Sequence, residues 1–361
     1  MAYVATRGGE QAMRHAEQFF RTLNGPVDTA CIRLIQRHMP YLIDRIMGEA
    51  SLYAPELAAL ALVQTGGDLY EAVLLLRAYR STQPRLAYAI PIESEQTLTV
   101  RRISAAFQDV PGGQMLGPTL DYSHRLLQTE LLDPTQAPPP RVPMPEADTA
   151  APRHYQPVTT WQRLNGLLDA APEHPPCDPV DIPDVTRQPV TFPAPRAQRL
   201  QLLARADTGG LLTLGYAGMN GYGITHPTVN ELCLAYADVY LRNPLTGTPF
   251  SAGRVRISQA EIVTPFRGGE AQLGLGFAAT MGWNEVKVIA AAMLDLEMDG
   301  PDPHPAHQEA FVLTHTEAVE ASGFCIHYKL PHYVTFQSNL DSLRRAQTQA
   351  SHRVPATEQN E

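Results

Sequence analysis

Sixteen of the chain's thirty-two prolines lie between residues 134 and 196, and this concentration constrains the fold more than any other feature. Proline lacks an amide hydrogen and holds φ near −65°, so a stretch this dense, with Pro138-Pro139-Pro140 inside it, cannot continue a helix. It favours extended, polyproline-like backbone. A structureless loop of such length inside one compact domain is uncommon. Val180, Val190 and Phe192 are apolar side chains that a free linker has no use for, which favours an arm wrapped on another surface over a plain spacer.

The flanks of this segment read differently. Before it, Pro55 opens an apolar stretch, Glu56–Val63, that stops at Gly66-Gly67. Asp68 then stands as an N-cap with Glu71 three residues on, and the pattern predicts a helix from Tyr70 to Arg80. The two segments make a packed helical hairpin. Its second helix is too apolar, through Val73, Leu74, Leu75 and Leu76, to read a DNA groove. After Arg196, strand-like alternation covers Leu232–Leu241 and Gly253–Val263, with a turn at Asn243–Gly247 between them. Leu273–Ala278 reads as a further strand and Val286–Leu296 as a helix. Phe311–His315 and Phe324–Leu330 read as strands flanking a short helix that stops at Gly323, and a last helix covers Val334–Ala346. The expectation is an α+β fold with a mainly helical N-terminal domain over 1–133, the proline-rich arm over 134–196, a mixed α/β domain over 197–348 and a disordered tail over 349–361.

Composition narrows the function classes. A net charge of −9 over 361 residues argues against a general nucleic-acid binder, although a local field can still oppose the global one. There is no long basic run for an anionic membrane surface. The apolar stretches fall well short of the ~20 residues that span a bilayer, and residues 1–20 have no signal-peptide core. Cys31, Cys177, Cys233 and Cys325 are scattered without metal spacing, which predicts reduced, mostly buried thiols and a cytoplasmic setting.

Two groups of residues carry candidate chemistry. His327 and His332 are five apart with Pro331 between them. On a helix that spacing leaves the rings ~140° apart, and on a strand it puts them on opposite faces. A turn at Pro331 would fold one ring back toward the other, and two converging imidazoles are half of a zinc site. The bland alternative is a turn that happens to hold two histidines. The second group is Arg101 and Arg102 followed by a loop with Gly112, Gly113 and Gly117, running into a predicted helix near Thr119 or Asp121. Glycines there allow positive φ and close backbone approach to a ligand, and the arginines suit phosphate. Asp121 and His124 would share one face of that helix, the carboxylate orienting the imidazole. A turn plus a capped helix with surface charges is the competing reading. His304 and His307, in a proline-rich loop, read as solvated, and Gly221–Pro227 as a turn.

Taken together, Leu75-Leu76-Arg77-Ala78-Tyr79-Arg80, Arg101-Arg102-Ile103-Ser104, Pro111-Gly112-Gly113-Gln114, Leu116-Gly117-Pro118-Thr119, Asp121-Tyr122, His124-Arg125-Leu126-Leu127 and Lys329-Leu330-Pro331-His332-Tyr333 closely resemble the PhnI family, a core subunit of the bacterial carbon–phosphorus lyase machinery. The similarity is collinear over nearly the whole chain and weakest in the proline-rich middle and at the tail. The resemblance implies a subunit that works with PhnG, PhnH and PhnL to transfer ribose 5-triphosphate from ATP to methylphosphonate, releasing adenine, and that has nucleosidase activity alone. It also implies packing beside the radical subunit PhnJ, the ABC-type ATPase PhnK as a further partner, and zinc as cofactor on His327 and His332. Arg101, Arg102, Gly112, Gly113 and Gly117 would anchor phosphates, with Asp121 and His124 near the sugar. The chain departs from the family pattern at Thr335, where members carry an acidic residue, which removes one candidate carboxylate ligand. A non-catalytic zinc-binding scaffold that supports PhnJ is the alternative function.

Overall fold

The computed structural model describes residues 9–135, 155–169, 181–222, 226–265 and 271–351, and the fold is α+β. The chain divides into two units. One comprises residues 27–318 and the other residues 1–26 with 319–361.

The larger unit is built on a four-stranded antiparallel sheet in the order β1 (Leu98–Ile103), β2 (Thr228–Arg242), β3 (Pro249–Thr264), β4 (Gly274–Met281). The predicted β2–β3 hairpin is present, and Asn243 caps its turn by accepting from the amides of Leu245 and Thr246. β2 is buried over consecutive residues from Asn230 to Ala235, which means that both faces of the sheet are covered there. β4 instead alternates buried and half-buried positions, as a strand with one core face does.

In the helical first third, α2 (Thr29–His38), α3 (Pro40–Ala50), α4 (Pro55–Gln64) and α5 (Leu69–Ser81) lie in the same unit as the sheet. Asp68 caps α5 as its spacing predicts, accepting from the amides of Tyr70 and Glu71. α3 is tied to the sheet end by a buried carboxylate: Asp44 accepts from the Trp283 amide at 3.0 Å and pairs with Arg256 at 2.9 Å. Burial pushes the Asp44 carboxyl up, and the Trp283 amide and Arg256 work against that rise.

The main core lies where α7 (Arg196–Arg205), α8 (Thr208–Ala217) and α9 (Glu285–Met298) pack on the sheet. α9 buries the small side chains of Ala290, Ala291 and Ala292, with Ala290 against Gly215 of α8 and the Ala292 backbone against β4. Gly276 of β4 completes that approach, since a Cβ on it would sit 2.1 Å from the Ala292 carbonyl oxygen. Asp295 of the same helix is fully buried, accepting from the Phe277 amide at 2.9 Å and from Arg196 at 2.8 Å.

The described parts of the proline-rich segment belong to this unit. α6 (Val158–Leu164) buries Val158, Thr159 and Gln162, and Trp161 meets Phe107 edge-on at 5.3 Å. Residues 136–154, 170–180 and 352–361, which carry Pro138–Pro140, Val180 and most of the expected tail, lie outside the described residues.

Three sequence expectations are corrected. Residues 311–315 belong to α10 (Glu309–His315), not to a strand. Residues 324–327 belong to α11 (Ala318–His327), with Gly323 inside the helix and not at its end. Short apolar runs carry no periodicity that separates strand from helix, and here local hydrogen bonding won. His307 is buried, with Nε2 at 3.1 Å from the Leu214 carbonyl, where solvent had been expected. Of the described cysteines, Cys31, Cys233 and Cys325 are free thiols, but only Cys233 is buried. Among the described residues no single helix is long and apolar enough to cross a membrane.

Because Gly276 has no room for a methyl group, Gly276→Ala should lower the unfolding free energy by roughly 1–3 kcal/mol in urea titration, through displacement of α9. An unchanged midpoint would mean that the strand and helix are not held at this separation.

Candidate functional site

The smaller unit carries the histidine pair. α11 ends at His327, residues 328–330 turn, and Pro331 precedes α12 (Tyr333–Ser351). Proline is tolerated there because it falls between helices and not within one. The turn does what five-residue spacing on a regular element cannot do: the two rings meet edge-to-face with centroids 5.1 Å apart. Tyr328 lies against both, 4.5 Å from His327 and 5.8 Å from His332.

Each imidazole is oriented by the backbone. His327 Nδ1 faces the Phe324 carbonyl, and His332 Nδ1 lies 2.6 Å from the Leu330 carbonyl. A carbonyl only accepts, so each Nδ1 carries the proton and each Nε2 keeps its lone pair. That is the tautomer a divalent metal requires. The pair therefore fits two ligands of a zinc site. Among the described residues no third His, Cys, Asp or Glu joins them, and Thr335 at the start of α12 offers no carboxylate.

The second predicted group is in the larger unit. Arg101 and Arg102 are consecutive on β1, so they leave opposite faces of the sheet. Both are only 2% exposed, which commits them to internal partners. Arg101 pairs with Asp121 at 2.5 Å and with Glu285, and donates to the Leu116 carbonyl. Arg102 pairs with Glu231 and donates to the carbonyls of Pro111 at 2.5 Å, Gly113 at 3.2 Å and Gln156 at 3.1 Å.

Gly112, Gly113 and Gly117 do adopt positive φ, at 83°, 77° and 58°. For two of them the close approach is to the protein itself. A Cβ on Gly117 would lie 2.3 Å from the Val100 carbonyl, and one on Gly112 would lie 2.1 Å from the Tyr155 ring. Gly113 has open space around its Cα.

The helix expected near Asp121 is absent, because residues 119–125 form turns. Arg101, Thr119 and Arg125 compete for the Asp121 side chain and backbone, so a local turn is the better-satisfied state. His124 is exposed in that turn and not stacked over Asp121. The Thr119 hydrogen bond, then Arg101 and Arg125, hold the Asp121 carboxyl below its ordinary range, so it is an anion at neutral pH.

The sequence reading missed a third group. Glu231 on β2 stands directly opposite Glu261 on β3, and both line a small cleft with Arg102, Tyr155, Cys233 and Gln259. Glu231 accepts from Arg102 Nε and from the Val158 amide at 3.0 Å. Glu261 receives only Asn230 Nδ2 at 2.9 Å and a long contact from Thr159. Burial, then the Glu231 charge, push Glu261 up to about 7. Burial and the same glutamate raise the Cys233 thiol, which excludes it as a thiolate nucleophile near neutral pH. No pattern within either strand signals the pair, which is made by the cross-strand register.

A family model described as bacterial phosphonate metabolism protein (PhnI) matches residues 2–350. The chain is 42% identical over 368 residues to a protein of Stutzerimonas stutzeri provisionally named C-P lyase subunit protein HtxH, covering 97% of both chains. It is 37% identical to proteins named alpha-D-ribose 1-methylphosphonate 5-triphosphate synthase subunit PhnI from Rhizobium meliloti (strain 1021) and Escherichia coli (strain K12). These matches cover 95% of this chain and 94% of the first relative, and 97% and 99% for the second.

Glu261 titrates at about 7 in the fold against 4.5 normally, so between those values the fold keeps a proton that the unfolded chain has lost. Its contribution to stability is complete below the lower value and is lost as pH rises through the higher one. Glu261→Gln should therefore be more stable than the parent by on the order of 1–3 kcal/mol at about pH 8.5, with no advantage near pH 4.5. Urea unfolding at the two pH values measures this, and equal differences at both would contradict it.

Proposed function

The chain belongs to the PhnI family of bacterial phosphonate metabolism proteins, and from that premise we propose that it is the ribosyl-transferring subunit of a carbon–phosphorus lyase assembly. The reaction is transfer of ribose 5-triphosphate from ATP to methylphosphonate. The bond from C1 of the ribose to the adenine nitrogen breaks, adenine leaves with the electron pair and gains a proton, and a phosphonate oxygen bonds to C1. The observation that carries this reading is end-to-end similarity to two relatives named as subunits of that synthase.

Such a transfer passes through a cation-like C1, which a fixed carboxylate stabilises and an acid helps the base to leave. Asp121 supports the first role, since its neighbours keep it charged. His124, exposed beside it, is the proposed proton donor. Partners would be PhnG, PhnH and PhnL for the transfer, with PhnJ and PhnK in the larger assembly.

We further propose that His327 and His332 hold zinc through their Nε2 atoms, the support being the Nδ1 hydrogen bonds that leave those lone pairs open. Zinc there supplies a Lewis-acid charge suited to water or phosphate oxygens. The remaining ligands would be water, substrate or a residue of a neighbouring subunit.

The scaffold reading draws on a different observation. Phe324, Tyr328, Tyr333 and Phe336, on and beside the two helices that carry the pair, are each at least 58% exposed, an apolar surface suited to a partner such as PhnJ.

Two measurements separate these readings. Metal analysis of a His327→Ala/His332→Ala variant should show zinc lost, and unchanged stoichiometry would remove the histidines from that role. Asp121→Asn, assayed where the variant remains folded by circular dichroism, should slow adenine release from ATP by roughly 10²-fold or more. Full release by that folded variant would take Asp121 out of the mechanism, and no release by the parent subunit would favour the scaffold.

A further inference from the structure

The arginine pair on β1 is internally neutralised, but another part of the larger unit is not. At the C-terminal end of α5, an open cleft of about 730 Å³ is lined by Arg80, Arg85, Tyr88, Asp184, Thr186 and Gln201, among others. Its far wall is held in place: Gln201 of α7 donates to the Pro183 carbonyl at 2.7 Å and accepts from the Val185 amide at 3.2 Å. Asp184 closes a turn onto Thr186, so the wall is a fixed surface.

The charges on this cleft do not balance. Its lining holds Arg80 and Arg85 against the single carboxylate Asp184, and Arg77, Arg187, Arg205 and Glu317 lie behind it within electrostatic reach. Asp184 serves Arg85 directly and Arg187 at 3.9 Å. Glu317 serves Arg77 directly and Arg205 at 3.9 Å. Among the described residues the Arg80 guanidinium makes no hydrogen bond or ion pair, although the residue is half-buried in the cleft wall. Behind the cleft, Arg205 Nε is buried without a hydrogen-bond partner, while its other nitrogens reach the Val185 carbonyl at 3.4 Å and Glu317 at 3.9 Å.

Burial lowers Arg205 to about 10, and Arg77 adds repulsion before Glu317 offsets it. Burial also lowers Arg80, and Arg85, Arg187 and Arg77 outweigh the single Asp184 in number. A group of guanidiniums held close together, partly dehydrated and short of anions is the arrangement that takes up phosphate oxygens. The chain's net charge of −9 makes a cleft with two guanidiniums against one carboxylate more telling.

We propose that the cleft lined by Arg80 and Arg85 binds the polyphosphate of a small phosphorylated ligand. Arg80 is the free contact, Arg85 is released to the ligand as Asp184 yields, and Thr186 lies alongside as a neutral donor. Tyr88, already 4.8 Å beneath the Arg85 guanidinium, keeps that side chain extended over the cleft. This assignment stands apart from the ribosyl-transfer reading, because a polyphosphate with neither ribose nor base tests it.

The test is titration calorimetry of the full chain with inorganic tripolyphosphate, and with orthophosphate in a parallel arm, at constant ionic strength. Tripolyphosphate should bind the parent protein, and Arg80→Gln should weaken it at least tenfold. Asp184→Asn, which keeps the turn's acceptor but removes the competing charge, should tighten it. The exposed Arg344→Gln on α12 should leave it unchanged. Equal affinity in Arg80→Gln, weaker binding in a folded Asp184→Asn, or an equal loss in Arg344→Gln would overturn the proposal. Orthophosphate binding as tight as tripolyphosphate would likewise overturn it in favour of a single-phosphate site.

Discussion

Arg101 and Arg102 sit on the edge strand of the sheet, and everything around the predicted loop is organised by where their guanidiniums go. An exposed edge invites further strand pairing, and here the glycine loop covers it: Met115 exchanges both backbone hydrogen bonds with Arg102. On one face Arg101 gathers Leu116, Asp121 and Glu285 at the start of α9. On the other, Arg102 gathers Pro111, Gly113, Gln156 of the arm and Glu231 of β2. Removing one partner of such a buried pair typically costs about 3–5 kcal/mol, because the other is left charged and dry. The loop, the arm and the first turn of α9 therefore stand or fall together.

That arrangement changes what the loop's glycines are for. Gly117 admits the Val100 carbonyl and Gly112 admits the Tyr155 ring, so the loop clamps the chain's own strand and arm. Charge left over for a ligand lies elsewhere, where α5 meets residues 182–187 and arginines outnumber carboxylates. A chain with an acidic total thus keeps basic character in one cleft and spends it on structure in another.

Much of the fold was legible from pattern. Asp68 as a cap, the β2–β3 hairpin around Asn243–Gly247 and the helix over α9 all rest on interactions within a few residues, which local sequence encodes. The strand assignments at 311–315 and 324–330 failed for the same reason in reverse. Their apolar runs are too short to show a period, and only neighbours in space decide between strand and helix. Asp121 and His124 were placed on a helix by spacing, but Arg101, twenty residues away in sequence, holds Asp121 in a turn. The Glu231–Glu261 pair was invisible because it depends on cross-strand register, which no single-strand pattern reports.

The sequence by itself determined the α+β class, the family resemblance and the turn at Pro331 that brings His327 to His332, because each follows from backbone chemistry or from motif order along the chain. Tertiary structure alone decided which arginines are neutralised and which are not. Whether a guanidinium is spent or available depends on carboxylates and carbonyls that lie far away in sequence and meet it only in the fold.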